Sequence, residues 1–286
     1  MDKRNIIQIA AALLQNLNLR GFLSGGIYKG RLKGVCVPGL NCYSCPSALG
    51  ACPVGAFQSA VTARHGRFPA YVLGLLVLFG AVLGRAVCGF LCPFGLVQGA
   101  LYRLPVPGKR RTLPGDRALR YLKYLVLALL VVGLPMAVKN TPFFCKYLCP
   151  AGTLGGGIPL MLADGRLNSQ AGALFWWKVG VLAAVLLLCL FVYRPFCRYL
   201  CPLGAFYGLF NRLSLYRMQL DRDKCTGCGV CAGACKMGVS PQRSPNSCEC
   251  IRCGDCTRAC PAGALKLNMG HTKPKKQNRQ IKTPGS

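Results

Sequence analysis

The sequence predicts an α-helical integral membrane bundle of about four transmembrane helices, followed by a small α+β module rich in cysteine. Long apolar segments fill the first two-thirds of the 286 residues, 20 cysteines are spread along the chain, and the composition changes after Arg217. We therefore predict a membrane domain over residues 1–217, a cysteine-rich module over 218–268 and a basic disordered tail over 269–286.

Three segments are apolar and close to the ~20 residues that a helix needs to cross a bilayer. They are residues 68–84, 119–138 and 171–193. In the last one, Lys178 stands beside Trp176 and Trp177, a grouping typical of an anchor at the membrane interface. A fourth segment, 6–19, has 14 residues and several amide side chains, so it either spans the membrane or lies at its surface.

The charge distribution predicts the orientation. The formal net charge is +29, from 36 Lys+Arg against 7 Asp+Glu. Loop 103–123 carries seven basic residues and one acidic residue, so it is expected in the cytoplasm together with the module. Segment 20–67 carries six basic residues and is nevertheless expected outside. We therefore expect a multi-pass protein of the cytoplasmic (inner) membrane, with lipid and no nucleic acid among its partners.

Two runs of four cysteines in the module share the spacing Cys-x2-Cys-x2-Cys-x3-Cys, the pattern of bacterial two-cluster ferredoxins. The fourth cysteine of each run then binds the other run's [4Fe–4S] cluster, whereas zinc sites use pairs of cysteines. The predicted ligands of the first cluster are Cys225, Cys228, Cys231 and Cys260. Those of the second are Cys235, Cys250, Cys253 and Cys256. Lys236 stands where a proline is usual, and the surplus Cys248 is predicted to be structural.

The membrane part contains a fourfold repeat in which a pair of cysteines ends in Cys-Pro-x-Gly. The pairs are Cys45 and Cys52, Cys88 and Cys92, Cys145 and Cys149, and Cys197 and Cys201. A proline after the second cysteine suits the first position of a new helix. The sulfur then lies near a helix N-terminus, where negative charge is stabilised. The repeat therefore predicts further thiolate-bound clusters.

Alternation of helix direction sorts these pairs into two sets at opposite membrane surfaces. The predicted ligands of an inner membrane cluster are Cys88, Cys92, Cys197 and Cys201. Those of an outer membrane cluster are Cys45, Cys52, Cys145 and Cys149, with Cys36 and Cys42 as alternative ligands or as a disulfide. Cys189 lies within a helical segment and is predicted to pack.

The residues of acid–base and hydride catalysis are missing from the sequence. It has no Ser-His-Asp set, carboxylate pair or nucleotide fingerprint, and its histidines are His65 and His271. His65 is expected to be a solvated loop residue. The sequence thus favours a redox-active electron-transfer subunit over a stand-alone enzyme.

The Cys-x3-Cys-Pro motifs at Cys88–Pro93 and Cys197–Pro202, followed by the cysteines of 225–260, resemble the NapH/NosR-type membrane polyferredoxins. The resemblance covers residues 68–267. It implies a four-helix membrane protein that takes electrons from the quinol pool or a soluble cytoplasmic donor and serves a partner reductase. Relatives that act in copper-oxidase assembly make a membrane-bound assembly or metal-reduction factor the alternative. The extra cysteines before residue 53, with Cys145 and Cys149, favour a relay across the membrane.

Overall fold

The computed structural model describes residues 3–21, 25–63, 69–138, 141–163 and 172–270. Its first part is helical, and wider π-helical turns occur within α6, α7 and α8. The helices of this part are α1 (Lys3–Gln15), α2 (Pro53–Thr62), α3 (Ala70–Leu83), α4 (Ala86–Phe90), α5 (Pro93–Leu101), α6 (Asp116–Ala137), α7 (Phe144–Leu148), α8 (150–163), α9 (Ala173–Phe191), α10 (Pro195–Tyr199) and α11 (Pro202–Phe210).

Two helices in the described residues are long and apolar enough to cross a membrane, α6 with 22 residues and α9 with 19. Helix α3 is apolar throughout but has 14 residues, because Gly84, with φ of 54°, turns the chain at its end. Helix α1 has 13 residues, and its Gln8 and Gln15 donate hydrogen bonds to the backbone carbonyls of Cys92 and Leu91. The described part of the chain thus supports two of the four expected spans.

The cysteine-rich module is built on one pair of antiparallel strands, β1 (Tyr216–Leu220) and β2 (Leu265–Met269). Between them lie two short helices, α12 (Val230–Ala234) and α13 (Asp255–Arg258). The predicted boundaries at 218 and 268 fall inside the strands. The small core of the module consists of Met218, Cys231, Cys256 and Leu265. The tail beyond residue 270, His65 and His271 lie outside the described residues.

A buried ion group joins the module to the helical part. Glu249 pairs with Arg85 at 2.9 Å and also binds Lys123 of α6. Arg85 donates a further bond of 2.6 Å to the carbonyl of Cys248. Burial opposes the charge of Glu249, but Arg85 and Lys123 outweigh it and keep the pKa of this carboxyl below its usual range. Both cations are fully buried, so the group depends on this one carboxylate.

A second set of bonds holds the same loop of the module. Asn211, at the end of α11, donates to the carbonyls of Ser247 and Cys250 at 2.8 Å each. In return, Arg252 donates to the carbonyls of Leu83 and Asn211 at 3.0 and 2.6 Å. The loop 247–252 is therefore fixed on the helical part by hydrogen bonds from two buried side chains, Asn211 and Arg252.

The fit between α4 and this loop makes Gly89 sensitive to substitution. A Cβ atom at Gly89 would lie 2.6 Å from the carbonyl oxygen of Ile251, which is backbone and cannot move alone. We expect Gly89→Ala to lower the free energy of unfolding by roughly 1–3 kcal/mol, measured by chemical denaturation of the anaerobic protein. Gly74→Ala on α3 is the matched control, because no atom lies within 4 Å of its Cβ position. Equal stability of the two variants would contradict the observed docking.

The buried ion group gives a second prediction. Glu249→Gln leaves two buried cations without a carboxylate, so we expect a loss of roughly 3–5 kcal/mol in the free energy of unfolding. Asp221→Asn is the control, since Asp221 is exposed and meets Lys224 at 3.9 Å. Its loss should stay below about 1 kcal/mol. Similar losses in both variants would show that Glu249 does not hold the module in place.

Candidate iron–sulfur sites

The module contains two cavities lined by cysteine. The first, about 340 Å³ when space open to solvent is counted, is lined by Cys225, Cys228, Cys231 and Cys260. The second, about 330 Å³, is lined by Cys235, Cys250, Cys253 and Cys256. The fourth cysteine of each run lines the cavity of the other run. The structure thus groups the cysteines in the two crossed sets of the sequence analysis, and their roles as ligands stay predictions.

The spacing of these side chains differs from that of a single-ion site. Among the described residues, no three His, Cys, Asp or Glu side chains lie close enough together to bind one metal ion. Four thiolates around one zinc ion each lie at about 2.3 Å from it, whereas each thiolate of a cubane binds a different iron. Cysteines that surround a cavity fit a cluster, in which each thiolate binds a different iron.

Burial strengthens proton binding at two thiols of the second cavity. Burial raises the pKa of Cys256 to about 12 and that of Cys253 to about 11. Cys228, in the first cavity, is exposed, and a hydrogen bond from the backbone of Val230 lowers its pKa. Iron binds thiolates, so filling the second cavity must release protons.

In the helical part, the predicted placement of each repeat before a helix is confirmed. The second cysteine of every pair precedes a helix whose first residue is the proline. These residues are Cys52, Cys92, Cys149 and Cys201. The thiol of Cys201 also accepts a hydrogen bond of 3.4 Å from the backbone of Gly204. Local sequence alone therefore puts each sulfur beside free N–H groups.

The second and fourth repeats meet in the core. The inner set (Cys88, Cys92, Cys197 and Cys201) is buried throughout. Cys201 interacts electrostatically with the other three thiols, and Cys197 interacts with Cys88 and Cys92. Gln98 of α5 donates to the sulfur of Cys197 at 3.1 Å and accepts from the thiol of Cys189 at 3.9 Å. The thiol of Cys189 thus lies beside the set and in the packed core.

Two arginines connect these repeats reciprocally. Arg85, three residues before Cys88, donates to the carbonyl of Cys197 at 3.0 Å. Arg194, three residues before Cys197, donates to the carbonyl of Cys88 at 2.6 Å. Both arginine side chains are fully buried beside the inner set. Sequence reasoning missed them, although Arg-x2-Cys-x3-Cys-Pro recurs in both repeats.

The environment of Arg194 fits an anionic group among the four thiols. Its bonds go to the carbonyl of Cys88 and to Gln8, and its Nε atom has no partner among the described residues. A buried guanidinium without a carboxylate is costly. A [4Fe–4S] cluster held by four thiolates carries net negative charge and would compensate it.

Three cysteines of the remaining pairs lie around a larger cavity of about 1830 Å³, measured in the same way. Cys42, Cys52, Cys145 and Cys149 line it, as does Cys36. Cys145 interacts electrostatically with each of the other three, and Cys149 does so with Cys42 and Cys52. We call Cys42, Cys52, Cys145 and Cys149 the outer set.

Cys45 is placed differently. Its sulfur lies 3.1 Å from the hydroxyl oxygen of Ser47, and it is not among the residues that line the cavity. The sequence predicts Cys45 as a ligand and Cys42 as an alternative, and the geometry favours Cys42.

The two sets are neighbours. Tyr207 of α11 is fully buried and donates to the carbonyl of Pro38 at 3.1 Å, in the loop that leads to Cys42. Its hydroxyl interacts electrostatically with Cys88 of the inner set and Cys52 of the outer set. The expectation of one centre at each surface of a layer about 30 Å thick therefore does not agree with the structure. The reason is that the loop before Cys52 folds back onto the turn at Cys92, so that a Cβ at Gly39 would lie 3.0 Å from the Cα of Cys92.

Comparison with known families agrees with this arrangement. A family model described as a 4Fe-4S binding domain matches residues 68–114, 123–159 and 173–219, which contain the last three cysteine repeats. A second model, also described as a 4Fe-4S binding domain, matches residues 218–239 in the module.

Several known proteins resemble the chain over most of its length. The methylamine utilization ferredoxin-type protein MauN of Methylorubrum extorquens is 36% identical over 74% of this chain and 70% of its own. An uncharacterised protein of Methanocaldococcus jannaschii is 30% identical over 68% of both chains. The ferredoxin-type protein NapH of Haemophilus influenzae is 30% identical over 62% of this chain and 57% of its own.

No solved structure matches the chain. The family models, the ferredoxin-type relatives and the grouped cysteines agree with one another. The chain is a NapH/NosR-type polyferredoxin, an electron-transfer protein that carries [4Fe–4S] clusters.

Proposed function

We propose that this chain is a membrane protein that relays electrons through four [4Fe–4S] clusters, held in order by the first and second cavities of the module, the inner set and the outer set. The observation that carries the proposal is the docking of loop 247–252. Arg85 binds the carbonyl of Cys197 in the inner set, and it also binds the carbonyl of Cys248, two residues before Cys250 of the second cavity. One side chain therefore connects two neighbouring sites.

A single side chain also lies between the inner set and the outer set. Tyr207 separates them and packs in one core with Cys88, Cys92 and Cys52. Bound clusters supply one-electron redox chemistry, and the protein fixes their spacing and surroundings. The rigid contacts at Arg85 and Tyr207 would keep each centre at a constant distance from the next. The partner is a reductase or a quinol-oxidising subunit, with a soluble donor or a quinone at the other end.

The surfaces of α6 and α9 support a membrane location. Only 22% and 17% of their apolar windows are buried inside the protein, so most apolar side chains face outward. Trp176 and Trp177 are more than half exposed near the start of α9. Lipid is the environment in which such surfaces are stable.

The orientation follows from which helix ends meet the module. Arg252 binds the carbonyl of Leu83 at the end of α3, Lys123 near the start of α6 binds Glu249, and the backbone of Arg110 donates to Phe191 at the end of α9. The basic loop 103–123 therefore lies on the module's side, and the positive-inside rule puts both in the cytoplasm. A reporter fused after residue 270 should be active as a cytoplasmic fluorescent protein and inactive as alkaline phosphatase. The reverse pattern would overturn this orientation.

Iron content tests the number of clusters. The protein purified without oxygen should hold about 16 iron atoms per chain, four in each of four clusters. Cys88→Ser and Cys197→Ser should each lower the content to about 12 and remove one signal from the electron paramagnetic resonance (EPR) spectrum of the reduced protein. The module's two signals should remain.

A matched pair of variants tests the outer set. Cys42→Ser should lose about four iron atoms, whereas Cys45→Ser should keep all of them. The reason is that Cys42 lines the cavity and Cys45 does not. Loss in Cys45→Ser alone would assign the ligand to Cys45. A wild-type protein with about 8 iron atoms and reactive free thiols would contradict the four-cluster relay and favour an assembly or metal-reduction factor.

A further inference from the structure

Lys178 is the one charged residue of α9, which otherwise consists of apolar and aromatic residues and glycine. A lysine within a membrane-spanning segment is costly, and such residues turn toward water at the interface or toward a partner inside the protein. The tryptophans next to it, Trp176 and Trp177, are exposed. Sequence alone therefore favours the interface.

The structure instead turns Lys178 toward the outer set. Its side chain lines the cavity together with Cys42, Cys145 and Cys149. The ammonium group interacts electrostatically with all three thiols. Trp177, one residue earlier, donates a hydrogen bond of 3.1 Å to the carbonyl of Tyr147, which lies between Cys145 and Cys149. This bond joins α9 to the segment that carries the two cysteines.

The other lysine of the cavity is engaged by the backbone. The ammonium of Lys33 donates to the carbonyl of Ala48 at 2.7 Å and to that of Cys45 at 3.5 Å, and it lies over the ring of Tyr43. Its bonds therefore hold the loop that contains Cys45. Lys178 is the cation that meets Cys42, Cys145 and Cys149 together.

We infer that Lys178 is the counter-ion of the outer cluster and raises its reduction potential relative to that of an uncompensated site. This inference rests on the proposed function, because it requires a cluster in the outer set. Reduction adds one electron, supplied from the inner set, and increases the negative charge of the cluster. A nearby positive charge stabilises the reduced form more than the oxidised form, and the apolar surroundings strengthen this interaction. Lys178 acts on the potential and touches no substrate, so it is a positioning residue.

The test is an EPR-monitored redox titration of the full-length protein in detergent, with iron quantified in parallel. Lys178→Gln should shift the midpoint of one cluster to a more negative potential and leave the other three unchanged. Lys178→Arg keeps the charge and should restore most of the wild-type midpoint. Lys146→Gln is the matched control. Lys146 follows Cys145 directly, but its side chain is exposed and lies over the ring of Tyr147, so its loss should shift the midpoint much less.

The outcomes separate this inference from the proposed function. A wild-type protein without a fourth cluster overturns both. A fourth cluster whose midpoint does not move in Lys178→Gln overturns the role of Lys178 alone and leaves the relay intact. Loss of that cluster in Lys178→Gln but not in Lys178→Arg also supports the inference, because it shows that the site requires the charge. Loss in both variants overturns it, since the site then depends on the shape of lysine.

Discussion

The charge of buried thiolates is the constraint on which the helical part of this fold depends. A thiolate removed from water is stable only beside a cation, a set of hydrogen-bond donors or a metal. Three of the four cysteine sets have a cation beside them. Arg85 and Arg194 lie at the inner set, Lys178 lies at the outer set, and Arg252 interacts with Cys250 in the module. Helix starts at the prolines add oriented N–H groups in all four repeats.

The reciprocal contacts of the two arginines explain the glycine of the Cys-Pro-x-Gly motif. A Cβ at Gly95 would lie 3.1 Å from the carbonyl oxygen of Cys88 and 3.2 Å from Arg194, which binds that carbonyl. A Cβ at Gly204 would lie 3.1 Å from the carbonyl oxygen of Cys197 and 3.4 Å from Arg85. Each glycine thus leaves room for the arginine of the other repeat. The arginine of each of these two repeats therefore binds a backbone carbonyl of the other repeat.

The parts of the site that spacing encodes could be predicted from the sequence. The ferredoxin spacing gave the two crossed groups of the module, and Cys-Pro gave a helix start after each repeat, because both depend on near neighbours in the chain. The choice between Cys45 and its alternative Cys42 stayed open in the sequence, because the spacing of the cysteines does not show that Cys42 lines the cavity and that the thiol of Cys45 contacts Ser47. The closeness of the two membrane sets could not be predicted, since it depends on long-range packing of Gly39 and Tyr207.

The two buried arginines, Arg85 and Arg194, differ in their partners. Arg194 donates to Gln8 of α1 and to the carbonyl of Cys88, but among the described residues its Nε has no partner and no carboxylate pairs with it. Arg85 has Glu249 from the module, and that carboxylate is shared with Lys123. The two repeats are otherwise equivalent, but the arginine of one meets a neutral amide and the arginine of the other meets the cysteine-rich module. Arg85 also binds the carbonyl of Cys197, so the module docks where its carboxylate meets a buried cation that contacts the inner set. Asn211 and Arg252 hold the same loop of the module in place.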